Sequence, residues 1–104
     1  MNGWEQEILG RNWTIRFVNR SRLPKNTDGL CQYEPASILI NGRAKPWRAL
    51  YLVLHELIHA RMQDLDEEAV SDLASILRTG IGRLLTRMNE QWPERKRKRH
   101  ETAQ

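Results

Sequence analysis

The two histidines at positions 55 and 59 are the residues of this sequence best suited to chemistry. They lie in the segment His55-Glu-Leu-Ile-His59 and are therefore four residues apart. On an α-helix this spacing places both imidazoles on one face, where they could bind a single Zn2+ ion. Glu56 follows the first of these histidines, and in metallohydrolases a glutamate at this position accepts a proton from the metal-bound water. The segment therefore predicts a metal site with its own catalytic base.

The helix that must carry these residues is predicted to run from Pro46 to about Met62. Proline suits the first turn of a helix, and the residues that follow are apolar nearly all round. We therefore expect this helix to be buried between a sheet and another element. Polar side chains buried there need a partner, because leaving them uncompensated is costly. A metal ion would supply that partner, and the competing interpretation is a pair of histidines satisfied within an ordinary core.

A third protein ligand is expected on the next helix. Asp64 and Glu67 resemble a capping box, which predicts a second helix that continues to about Asn89. In a tight helical hairpin, positions equally far from the turn lie at the same height. By this argument Glu68 lies level with His59 and is the predicted third ligand, while Glu67 remains the main competitor.

Asp72 lies one helical turn beyond Glu68 and is predicted to lie level with His55. There its carboxylate would accept a hydrogen bond from the second ring nitrogen of that ligand, as outer-shell groups at metal sites commonly do. The alternative for both Glu68 and Asp72 is a solvated helix face.

These two segments together resemble the signature of the gluzincin metallopeptidases. His55-Glu-Leu-Ile-His59 matches HExxH, and Glu68-Ala-Val-Ser-Asp72 is similar to the ExxxD segment of thermolysin. The resemblance implies zinc bound by His55, His59 and Glu68, with Glu56 as base and Asp72 outside the ligand shell. The short interval between the two segments is similar to that of very small zincin-like proteins from bacteria and phages. The resemblance also implies that Ile38 to Ile40 is an edge strand that pairs with an extended substrate.

The sequence offers no histidine between these segments and the basic end of the chain that could stabilise an oxyanion. Tyr51, one turn before His55, and Tyr33, on a predicted strand, are the candidates for that role. Their alternative role is as core or rim aromatics.

The residues before the first helix predict a small sheet. Positions 12–18 alternate apolar and polar residues, and positions 30–34 and 37–41 are strand-like segments joined around Pro35. Residues 19–29 are predicted to form a loop, and Trp13 and Trp47 to lie in the core. Strands followed by helices indicate an α+β fold, with a small antiparallel or mixed sheet packed on the active-site helix, which precedes a second long helix.

Composition limits the organisation of the chain. Its 104 residues, 39% of them apolar, are enough for one domain with a modest core, predicted at residues 1–91 with a tail at 92–104. No long apolar run or secretory signal is present, so we expect a cytoplasmic protein without a membrane segment. The single cysteine, Cys31, cannot form an internal disulfide and is interpreted as a small buried apolar residue.

The tail is strongly basic. Its consecutive cations are Arg95, Lys96, Arg97, Lys98 and Arg99. Like charges at this density resist packing, so the tail is predicted to be a disordered, solubilising end. The alternative is a contact with the phosphates of a nucleic acid.

Three classes of function follow from these features. The first is a zinc metallopeptidase that acts on a protein or peptide substrate. The second is a non-catalytic zinc-binding interaction module in which the metal stabilises a small domain. The third is association with nucleic acid through the tail, which is compatible with either of the others. A fourth protein ligand would favour the structural role, and an open fourth position would favour the enzyme.

Overall fold

A computed structural model describes residues 3–91 as one sheet and two long helices. The elements are β1 (Gly3–Ile8), β2 (Arg11–Val18), β3 (Gly29–Tyr33), β4 (Ala36–Asn41), α1 (Pro46–Arg61) and α2 (Glu67–Gln91). The α+β architecture predicted from the sequence is confirmed, with α1 packed on the sheet and α2 packed on α1.

The sheet is mixed and has the strand order β1-β2-β4-β3. β2 and β4 pair in parallel, whereas the β1–β2 and β3–β4 pairs are antiparallel. The sequence did not predict β1, because nearly all of its side chains are exposed and it lacks the alternation of a half-buried strand. β1 joins β2 through Leu9 and Gly10, both of which have a positive φ.

The strand order corrects one prediction about the sheet edge. Ile38 to Ile40 lies in β4, which is paired on both sides, so it is not an edge strand. β4 lies between β2, with which it pairs in parallel, and β3, with which it pairs antiparallel. Within residues 3–91, β3 is paired on one side only, and it packs against α1.

The core lies between the sheet and α1. Ile15, Ile38 and Ile40 are completely buried, and Trp13 is buried beside them as predicted. The prediction for Trp47 is wrong, because this side chain remains 51% exposed in the first turn of α1. Its ring faces α2, where a Cβ atom at Gly82 would lie 2.8 Å from the ring.

The start of α2 also differs from the prediction. Asp66, not Asp64, caps the helix, since its Oδ1 accepts a 2.8 Å hydrogen bond from the backbone N–H of Ala69. From this cap the helix directs Val70 and Ala74 onto Ile58 of α1. The position of the cap therefore decides which acidic side chain of the first turn faces the histidines.

Candidate metal centre

Helix α1 places both histidines and Glu56 at its packed C-terminal half. His55 and Glu56 are buried, and His59 is partly buried. As the four-residue spacing predicted, the two imidazoles lie side by side, with their Nε2 atoms 3.2 Å apart. Two ring nitrogens this close together on one helix could both bind the same metal ion.

The carboxylate of Glu67 is the third candidate ligand. Its Oε1 lies 2.6 Å from Nε2 of His55, and its Oε2 lies 3.0 Å from Nε2 of His59. Ligand atoms that surround a tetrahedral zinc ion at about 2.0–2.1 Å are themselves about 3.3 Å apart. The three side chains could therefore hold a metal ion after only a small outward adjustment of the carboxylate.

The structure brings Glu67, and not Glu68, to the histidines. Glu67 precedes the buried Val70 by three residues and so lies on the side of α2 that packs against α1. Glu68 is about 100° further round the helix and is exposed. Counting from the turn gives only the height of a residue along the hairpin, whereas the packing of Val70 on Ile58 sets the rotation of α2 and turns Glu67 toward the histidines.

Asp72 does not serve as the partner of His55 in this arrangement. It lies five residues after Glu67, on the outer side of α2, and is exposed. The buried Nδ1 of His55 has no hydrogen-bond partner among the described residues. The predicted position of Asp72 is therefore wrong, because the rotation of α2 that brings Val70 and Ala74 onto α1 turns Asp72 away from His55.

His55 lies in surroundings that favour the form of imidazole that binds metals. Burial lowers the pKa of its ring, although the carboxylate of Glu67 acts in the opposite direction. Metal binding requires a neutral imidazole, so the burial of His55 favours the state in which it can act as a ligand.

Glu56 is a buried carboxyl group beside this ligand set. Burial, reinforced by the negative charge of Glu67, raises its pKa to about 7. Its side chain lies under the first residue of β3, where a Cβ atom at Gly29 would be 2.9 Å from Oε2 of Glu56. Such a group exchanges a proton near neutral pH, as a general base must.

The two tyrosines proposed for an oxyanion have different surroundings. The hydroxyl of Tyr33 donates a 2.8 Å hydrogen bond to the carbonyl of His59, which ties β3 to the end of α1. Tyr33 thus has a structural role. The ring of Tyr51 lies 5.6 Å from that of His55 and beneath the guanidinium groups of Arg48 and Arg78. Tyr51 therefore lies beside the cluster.

Cys31 faces the same helix from β3 and is half-buried rather than fully buried. Burial raises the pKa of its thiol to about 11. The thiol therefore stays protonated at neutral pH and is a poor nucleophile, in keeping with its interpretation as a packing residue.

Sequence reasoning missed Gly29 as part of the site. No motif marks it, because its importance comes from the close approach of β3 to Glu56 in three dimensions. The basic residues Arg95 to Arg99, together with His100, lie outside the described residues.

Comparison with known proteins does not place the chain in a family. No family model matches it, and neither the curated proteins nor the solved structures contain a match. Over residues 3–91, neither helix is apolar enough over a sufficient length to span a membrane.

Proposed function

We propose that this protein is a zinc-dependent hydrolase of peptide bonds, similar to a minimal zincin. The observation that carries the proposal is the convergence of His55, His59 and Glu67 beside the buried carboxyl group of Glu56. Two imidazoles and one carboxylate form a set of three protein ligands that is typical of catalytic zinc sites.

The donor set favours zinc over the harder divalent cations. Magnesium and calcium prefer cages made entirely of oxygen ligands, whereas two of the three donors here are imidazole nitrogens. When bound, zinc supplies Lewis acidity, which polarises a carbonyl group and acidifies a coordinated water.

Glu56 is the proposed general base. Its carboxylate is adjacent in sequence to one ligand, is shielded from solvent, and has a pKa raised to about 7 by burial. A base with a pKa near the working pH can both accept a proton and return it to a leaving group. The close packing of Gly29 restricts the positions open to this side chain.

The free edge of β3 is the proposed binding surface for the substrate. β3 has a sheet partner on one side only within residues 3–91, and it packs directly against the helix that carries the ligands. An extended peptide could add to this edge through backbone hydrogen bonds, which would place a peptide bond near the cluster. This role is assigned to β3 in place of the β4 segment chosen from the sequence.

A non-catalytic zinc module is supported less well. A purely structural zinc site usually has four protein ligands. Among residues 3–91, the candidate cluster contains only His55, His59 and Glu67. A third idea, contact with nucleic acid through the tail, concerns residues outside the described part of the chain.

The proposal is tested by pairing metal analysis with a peptide-cleavage assay. The purified protein should contain about one zinc per chain, and mass spectrometry should detect new termini in a mixture of unstructured peptides. Glu56→Gln should retain zinc and the melting temperature but lose cleavage, because an amide keeps the shape and cannot accept the proton. Cleavage that survives this substitution would exclude Glu56 as the base, and zinc bound without any cleavage would favour the structural module.

A further inference from the structure

Helix α2 carries a row of large aliphatic side chains that no described element covers. Leu73, Ile76, Leu77 and Leu84 are 38%, 68%, 42% and 58% exposed. At 100° per residue, all four fall within a sector of about 100° on the helix surface. We call this sector, with Gly80 at its middle, the outer face of α2.

The fold of residues 3–91 does not explain the glycine at position 80. A Cβ atom built at this position would meet no atom of residues 3–91 within 4 Å, so packing among these residues does not require glycine there. Glycine is unfavourable inside a helix, and it is useful where another backbone must approach closely. Gly82, by contrast, is accounted for by the ring of Trp47.

The charges of α2 are segregated along its length. Its first six residues include Glu67, Glu68 and Asp72 and no basic residue. Arg78 lies near the middle, and the C-terminal part has Arg83 and Arg87 against the single acidic residue Glu90. Two such helices placed antiparallel would set the acidic part of each against the basic part of the other. In a parallel arrangement like charges would face each other, which is unfavourable.

We propose that two copies of this chain form a twofold-symmetric dimer through the outer faces of α2, antiparallel and crossing near Gly80. Positions equally distant from the crossing then lie opposite each other, which sets Ile76 of one copy against Leu84 of the other. Asp72 and Arg87, eight residues before and seven residues after Gly80, come together at the flank. A self-complementary surface of this kind is what a twofold interface requires.

The area available suits a concentration-dependent dimer. The four exposed aliphatic side chains provide on the order of 400 Å² per copy, and their polar flanks raise the contact to about 600 Å², the low end for specific interfaces. Glu67 lies about 120° or more round the helix from the centre of the outer face. The dimer would thus leave the candidate metal centre free, and its test is independent of the proposed hydrolase activity.

Adjacent leucines provide a matched pair of variants. Leu84 and Leu85 are 58% and 57% exposed. Leu85 lies about 100° further round α2 than Leu84, on the side of the helix away from Ile76, and is therefore outside the proposed contact. In sedimentation velocity on the full chain across the micromolar range, we expect the parent protein and Leu85→Glu to dimerise. Leu84→Glu should raise the dissociation constant by more than about tenfold, because it buries a charge in the contact. Circular dichroism melting establishes that both variants are folded.

A charge exchange tests the antiparallel direction. Asp72→Arg and Arg87→Asp should each weaken the dimer by about fivefold, and the double variant should recover most of the loss. A parent protein that is monomeric at all concentrations overturns the proposal and points to another occupant of this face. Equal dissociation by Leu84→Glu and Leu85→Glu overturns it too, and a double variant weaker than either single one excludes the antiparallel arrangement.

Discussion

Glu67 and Glu68 are neighbouring, exposed carboxylates in the first turn of α2, yet only Glu67 reaches the imidazoles of α1. Replacing Glu67 by alanine removes one of three candidate ligands and should lower zinc affinity by about 100-fold or more. Glu68→Ala should change it by less than about threefold, because its carboxylate faces solvent. Competition with a chromophoric chelator at constant pH measures both affinities.

Asp72→Ala is the second comparison at this scale. If Asp72 accepted a hydrogen bond from His55, as predicted from the sequence, this change would weaken zinc binding, whereas the structure places Asp72 on the outer side of α2. We therefore expect no change in zinc affinity. A loss in Glu68→Ala or Asp72→Ala as large as that in Glu67→Ala would mean that the first turn of α2 is rotated relative to α1 when metal is bound.

At the scale of elements, the contact between β3 and α1 positions the proposed base. Gly29→Ala places a methyl group 2.9 Å from Oε2 of Glu56 and must displace that carboxylate. Since β3 remains paired with β4, we expect the fold and zinc content to be retained while peptide cleavage falls by about tenfold or more. Peptide-cleavage rates, compared at equal zinc occupancy, measure this effect.

Gln32→Ala is the matched control on the same strand. Gln32 is exposed, and its side chain accepts a hydrogen bond from Ser37. It lies between Cys31 and Tyr33, which pack on the core, so its side chain points to the other face of the sheet and is not part of the proposed backbone edge. Its removal should leave cleavage and zinc content unchanged. Equal activity of Gly29→Ala and the parent protein would show that the exact position of Glu56 is unimportant for the reaction.

For the molecule as a whole, the candidate ligands join two helices whose buried apolar contact, formed by Ile58, Val70 and Ala74, is small. Metal bound only to the folded state stabilises it by about 2.7 kcal/mol when free zinc is 100 times its dissociation constant. For a domain of this size, that corresponds to a melting temperature higher by about 10–20 °C. Melting curves recorded with zinc and with a chelator measure the difference.

His59→Ala provides the control for this measurement. Without one of its ligands the protein should melt at nearly the same temperature in zinc and in chelator. If the parent protein shows no difference either, the cluster does not bind zinc at concentrations that affect stability.

The sequence alone determined what depends on local geometry. The four-residue spacing of His55 and His59 places them on one face of any α-helix, and the apolar residues around them ensure that this helix is buried. The alternation in residues 12–18 likewise predicted β2, with Trp13 inside. Distances within one element follow from backbone periodicity, so these features needed no tertiary information.

Only the tertiary structure decided how the elements meet. The cap at Asp66 and the packing of Val70 set the rotation of α2, and through it the choice of Glu67 over Glu68. The order of strands made β3 an edge strand in place of β4, and the approach of β3 to α1 gave Gly29 its importance. Successive side chains of an α-helix point in directions about 100° apart. Capping and packing between elements therefore decide which carboxylate reaches the histidines, and a sequence motif does not record them.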